Sequence, residues 1–285
     1  MKTKKNPRYA GSLNFINSIL LKYRIVYPIF RPIHMIRFLI TFSALFYSCY
    51  NLNHSSYQKD IISIMTFNVR NGRGMDDRVN YARTAKLIAS YHPDVVALQE
   101  LDSVTKRSNG DNVVKKIADL AEYKSGYAAA IPFDGGKYGI GSLFKEQPLQ
   151  FYNIALPGAE EQRTLQIVEF SSFVIFNAHL SLTEADRNRS GEIINAEKLK
   201  FTKPVFLTGD LNAEPTSVLI TTLKKTWTQL SPDAYTFPST GPNEQIDYIF
   251  VSHEHASGFE ILSSEVVRDS ITSDHRPVIV RLRIK

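Results

Sequence analysis

From residue 61 onward the chain is a succession of short apolar runs, several closed by a polar residue that a packed core would not choose. IISIMTFN, ending at Asn68, is apolar and β-branched and predicts a buried strand; VVALQE, ending at Glu100, predicts another. Further strands are predicted at 141–144, 165–170, 173–180, 205–208, 246–251 and 278–284. Residues 78–91 carry Val79, Ala82, Ala85 and Ile88 at helical spacing, and His92 and Pro93 stop the pattern. Helices are also expected at 111–121 and 183–200, with a shorter one at 217–225. Some strands follow one another like hairpins and others are separated by helices, which predicts α+β or mixed-sheet α/β architecture. There is no internal repeat, low-complexity tract or interdomain linker, so one domain of catalytic size, 60–285, is the simplest account.

The segment before it reads differently. FLITFSALFYSCY, residues 38–50, is uncharged and mostly apolar but too short for a membrane span of about 20 residues. It fits a signal-peptide apolar region, and Cys49 at its end resembles the lipidated first residue of a bacterial lipoprotein. A plain secretory or membrane-anchor leader and a buried structural cysteine are the alternatives. Residues 1–59 are expected to be leader and polar tether, and because MIRFLITFSALFYSC would make a compact leader by itself, translation is expected to start at Met35 rather than Met1. A single cysteine allows no intrachain disulfide.

Composition changes the picture through its distribution. Of 285 residues, 43% are hydrophobic and 22% charged, which excludes wholesale disorder and collagen-like repetition. The net charge of +6 would invite a nucleic-acid reading, yet eight basic residues and no acid precede residue 49. That leaves 26 Lys and Arg against 28 Asp and Glu, and a charge of −2, for the rest. A non-specific duplex binder neutralises many phosphates with cations, so nucleic acid is the less favoured partner.

Strand ends are where a sheet can present ligands without burying unpaired charge. Asn68, Glu100, His179, and Asp210 with Asn212 all stand at such ends. Asp247 alternates onto the face of Ile249 and Val251 and needs a partner, which His275 in SDHRP could supply while being oriented in return.

Five blocks, TFNVR, LQELD, NAHL, GDLNAEP with IDYIFVS, and SDHRP, occur in this order over residues 62–281. Together they resemble the endonuclease/exonuclease/phosphatase family, which includes deoxyribonuclease I, abasic-site endonucleases, neutral sphingomyelinases and inositol-polyphosphate 5-phosphatases. The resemblance implies a four-layer sandwich of two mixed β-sheets packed face to face and flanked by helices, with the site at one edge. It implies a divalent cation, usually magnesium with manganese as an alternative, held by Glu100 with Asn68 and Asp274; hard oxygen ligands suit such an ion. By the same resemblance Asp210 and Asn212 position or deprotonate the attacking water and hold the phosphate, and Asp247 orients His275. Whether Asp210 or His275 is the base stays open. His179 resembles the histidine that stabilises the transition state or protonates the leaving oxygen, and Arg163 resembles a phosphate-contacting arginine. One departure stands out: deoxyribonuclease I pairs its first histidine with a glutamate, whereas YGIGSLF has no acid and carries Ile140 there.

The expected protein is thus an exported, lipid-anchored phosphoesterase of the cell envelope, acting with metal on a small phosphodiester or a lipid headgroup. The alternatives are an extracellular or periplasmic nuclease and a non-catalytic binding module on the same fold. Arg107 reads either as a substrate-loop residue or as a solvated one, and His253 with His255 has a spacing that zinc could use. Residues 71–78, 103–111 and 132–137 are expected to border the site.

Overall fold

A computed structural model describes residues 60–285. In chain order its strands are β1 (Ile61–Asn68), β2 (Val95–Ser103), β3 (Lys124–Phe133), β4 (Gly136–Phe144), β5 (Gln150–Leu156) and β6 (Arg163–Glu169). They continue as β7 (Val174–His179), β8 (Val205–Asp210), β9 (Trp227–Gln229), β10 (Asp247–Ser252), β11 (Phe259–Val266) and β12 (Val278–Ile284). The helices are α1 (Tyr81–Tyr91), α2 (Val113–Ala121), α3 (Glu184–Lys198) and α4 (Val218–Leu223).

Two six-stranded sheets result, in the orders β11-β12-β1-β2-β4-β3 and β5-β6-β7-β8-β10-β9. Both follow one plan. A central parallel pair, β1·β2 or β7·β8, is joined by a helical crossover, and every other pairing is antiparallel. The outer face of the first sheet (Met65, Phe67, Val96, Leu98) packs on Ile88 of α1 and Val114 and Ile117 of α2. Phe176, Leu207 and Phe250 of the second sheet pack on Ile194 of α3 and Leu219 and Leu223 of α4. Between the sheets lie Ile62, Ile64, Val95, Phe206, Ile249, Val251 and Val280. Each such side chain contributes about 1.5–3 kcal/mol by leaving water. The layers are therefore helix, sheet, sheet, helix, as the resemblance implied.

Four strands, β3, β5, β9 and β11, were absent from the sequence reading for a physical reason. β5 and β11 are sheet-edge strands with largely exposed or half-buried side chains, so no continuous apolar run marks them; β3, at another edge, carries the apolar YAAAIPF, but its alanines and proline are poor strand formers, and β9, also at an edge, has three residues. The first helix begins at Tyr81 rather than 78, because Asn80 caps it by accepting a hydrogen bond from the Arg83 amide. Val79 instead bridges Arg73. Asn112 and Ser217 likewise cap α2 and α4. Among the described residues no helix is long and apolar enough to cross a membrane. Cys49 and the leader expected at 1–59 lie outside the described residues.

The layer between the sheets changes character along its length. Alternation keeps residues 62, 64, 66 and 68 of β1 on one face. At one end these are isoleucines; at the other they are Thr66 and Asn68, facing Gln99, Asn177 and Thr208, all fully buried. Gln99 Nε2 donates to Thr66 Oγ1 (3.2 Å) and to Asn177 Oδ1 (2.8 Å), and Asn177 Nδ2 donates to Gly141 O (2.8 Å). Hydrogen bonds thus tie the two sheets just below the edge where the candidate residues gather.

Candidate active site

Strand direction brings these residues together. β1, β2, β7 and β8 end at the edge where the antiparallel β10 begins and the chain turns into β12. His179, Asp210 and Asp247 are direct neighbours across β7, β8 and β10. Gly209 makes this possible: with φ 141, any Cβ on it would lie 1.9 Å from Ala178 O of the adjacent strand.

Asp210 Oδ2 stands at the centre. Asn68 Nδ2 donates to it across the sheet interface (3.0 Å), and His179 Nε2 and His275 Nε2 lie 3.5 and 3.6 Å away. Asn68 Nδ2 also donates to Glu100 Oε1 (3.0 Å). His275 Nδ1 is 2.9 Å from Asp247 Oδ2, as its place in the sequence suggested, and Phe237 packs on its ring. Asp247 is 1% exposed, and its Oδ1 is buried without a hydrogen-bond partner. Asp210, Asp247 and His275 each offer a ligand atom within 4.8 Å of the others, a buried cluster suited to a metal ion. An unpaired buried carboxylate oxygen beside a second carboxylate, Asp210, and the His275 imidazole fits a cation.

Glu100 reaches the edge through an irregularity. From Leu98 to Leu101, β2 advances three residues while β4 advances two, from Gly141 to Gly139, and Glu100 has φ 58. Strict alternation would have turned Glu100 toward the helices with Val96 and Leu98. The bulge frees its carboxylate for the site and returns Leu101 to the helix-facing core beside Leu98.

A family model for the endonuclease/exonuclease/phosphatase family matches residues 65–275. The chain belongs to that family. No curated protein matches its sequence significantly. Similar solved structures include an endonuclease/exonuclease/phosphatase from Beutenbergia cavernae DSM 12333. It is 21% identical with a TM-score of 0.64, over 79% of this chain and 72% of that one. A mannosyl-6-phosphatase from Bacteroides thetaiotaomicron VPI-5482 is 18% identical (TM-score 0.60; 78% and 99% covered). The human Nocturnin catalytic domain with bound sulfate is 17% identical (TM-score 0.59; 80% and 96% covered). At these identities the likeness concerns the fold. With the family established, the buried Asp210, Asp247 and His275 cluster supports metal-dependent phosphoesterase activity.

In this endonuclease/exonuclease/phosphatase family member the two histidines differ in charge. Burial pushes His179 down to about 4, with the Arg163 guanidinium adding to the effect and Asp210 opposing it. Burial works against the charge of His275 too, but Asp247 and Asp210 outweigh it and raise the imidazole to about 10. Burial also raises the Asp210 carboxyl above the usual range.

The remaining candidates fall around this centre. Asp274 Oδ2 is 3.5 Å from Arg70 Nε, and the Arg70 amide donates to Asn68 Oδ1. The Asn212 amide donates to Asp210 Oδ1 (3.0 Å) and its Nδ2 to Leu180 O (2.8 Å). Arg163, 7% exposed, lies with Nη1 3.4 Å from His179 Nδ1. Arg107 donates twice, at 2.7 Å, to the fully buried Asp102, with its guanidinium over the Phe133 ring at 4.4 Å. His253 and His255 stand apart, their ring nitrogens engaged by Thr228, by Ser252 and by Thr202 O. The sequence reading missed Glu160, Asp102 and Arg70 as partners of the site. The closest available signal was the run EEQR, which sets two acids within three residues of Arg163.

Proposed function

We propose that this phosphoesterase acts with magnesium, or manganese, on esters bearing a single phosphate group, a small phosphodiester or a lipid headgroup. The observation that carries the choice is that Arg70, Arg107 and Arg163, three arginines near the site, each already have a carboxylate partner. Arg70 has Asp274, Arg107 has Asp102, and Arg163 has Glu160 and Glu161, both at 3.3 Å. A nucleic-acid backbone needs several free cations along its track; a lone phosphate does not.

In this reading Glu100, helped by Asn68 and Asp274, holds the ion, while Asp210, Asp247 and His275, whose cluster would also suit a cation, serve the water and the phosphate. When bound, the metal offsets negative charge growing on the phosphoryl oxygens. Asp210 and Asn212 align the attacking water, and Asp210 takes its proton, since burial strengthens that carboxylate as a base. Asp247 orients His275, whose imidazolium faces the same space and stabilises the phosphoryl charge. The leader belongs to the same proposal, as the signal of an envelope lipoprotein lipidated at Cys49. Intact mass of the cellular protein tests it: a mature chain beginning at Cys49 is expected, and one retaining residues 1–34 overturns it.

The test of activity is a substrate panel of bis-nitrophenyl phosphate, nitrophenyl phosphate, single- and double-stranded DNA, sphingomyelin and inositol phosphates. Turnover of a small ester that requires magnesium, disappears in Glu100→Ala and varies little with salt is expected. Faster turnover of DNA with a steep salt dependence would make the protein a nuclease instead. Metal-independent ligand uptake without turnover would point to the binding module.

A further inference from the structure

His179 has no carboxylate on its outer nitrogen. Its Nε2 faces Asp210 Oδ2, and its Nδ1 faces Arg163 Nη1 at 3.4 Å. A guanidinium carries only N–H donors, so the contact is favourable only if Nδ1 presents its lone pair and the ring proton sits on Nε2. A glutamate at that place would demand the opposite tautomer. Position 140, where such an acid could have come from, is the buried Ile140 in the wall shared by Tyr138, Arg163 and His179.

Arg163 is itself fixed. Its Nη2 donates to Glu160 Oε1 and its Nη1 lies 3.3 Å from Glu161 Oε1. Glu160 does more than pair with it. Its Oε1 also accepts from the Leu182 amide (2.7 Å), and its Oε2 accepts from Ser181 Oγ (2.9 Å) and Thr183 Oγ1 (3.3 Å). One carboxylate thus fastens both the arginine and the segment by which the chain leaves His179. These bonds pull its acidity well into the charged range, to about 2, against the opposing effect of burial.

We propose that Glu160 and Arg163 are positioning residues that hold His179 in the Nε2–H tautomer, aimed beside Asp210, as a hydrogen-bond donor to a phosphoryl oxygen. The last clause rests on the phosphoesterase reading; the tautomer does not. In this arrangement His179 lends a hydrogen bond and keeps its proton, and Arg163 acts on the phosphate through the imidazole.

Long-range proton–nitrogen correlation spectra of the metal-free full chain at neutral pH test the proposal, with His179 assigned by its loss in His179→Asn. Wild type should show a protonated Nε2 and a bare Nδ1. Arg163→Ala should mix the tautomers, and Glu160→Gln should do so to a lesser degree. With magnesium and bis-nitrophenyl phosphate, Arg163→Ala should lower kcat roughly ten- to a hundredfold with KM changed less than about twofold, and added guanidinium should restore part of the loss. A wild-type Nδ1–H tautomer, or an Nε2–H tautomer that survives in Arg163→Ala, overturns the proposal. A variant whose KM rises while kcat stays overturns it as well, by making Arg163 a direct phosphate contact. The spectra need no turnover, so an inactive protein with the expected tautomers would count against the phosphoesterase reading alone.

Discussion

The two ends of the layer between the sheets are built from the same strands and obey opposite rules. At one end Ile62, Ile64, Phe206 and Val251 are buried in contact with their like. At the other, Asn68, Asp210 and Asp247 are as deeply buried, yet each touches a charged or polar group. The first end makes the sandwich cohere; the second holds carboxylates that burial disfavours and that only partners or a cation can offset. Stability and chemistry should therefore be separable along one strand.

The sharpest break is expected at the polar end. Glu100→Gln should cut turnover roughly a hundred- to a thousandfold, the range for losing one group that stabilises developing charge. Its urea midpoint should match or exceed that of the parent, because a carboxylate has been neutralised. If turnover survives, or the protein unfolds, the division between the ends fails. At the apolar end, Phe206→Ala should cost about 3–5 kcal/mol in urea unfolding while the folded fraction keeps its kcat.

A smaller effect separates the two histidines by pH. Below the ordinary value of 6.5, an unfolded chain protonates His179 while the metal-free folded protein resists until about 4, so stability should fall as pH drops through that interval. Above 6.5 the unfolded chain releases a proton that folded His275 keeps until about 10, so stability should also fall as pH rises. On the acid side the raised Asp210 carboxyl works against His179, so urea midpoints should fall less steeply below pH 6.5 than above it, and His179→Asn should remove the acid-side fall alone.

Much of the site was legible because its residues violate a local rule. Asn68, Glu100, His179 and Asp210 each interrupt an apolar run, and Asp247 sits in phase with Ile249 and Val251 where only a partnered acid is stable. What stayed hidden obeys local rules or depends on distant ones. Glu160 reads as a solvated loop acid until folding brings Ser181 and Leu182 to it. Asp102 continues the polar end of a strand and gives no hint of Arg107. Edge strands β5 and β11 hide for another reason: a strand with solvent on much of its surface need not be apolar.

The bulge in β2 has a consequence for descent. A strand counts in twos, and β2 slips one count at Glu100; without that residue, Gln99 and Leu101 would follow each other in unbroken alternation, opposite Ile140 and its neighbours. Deleting a residue from the regular stretches of the strand would move leucines and valines onto the wrong face. Deleting Glu100 would mend the rhythm and leave Gln99 in its place between the sheets. The acid is a passenger of the sandwich rather than one of its timbers, so a lineage released from the chemistry could drop a single codon and keep both cores. A Glu100-deletion variant should accordingly fold, inert, with an unfolding midpoint no lower than that of its parent.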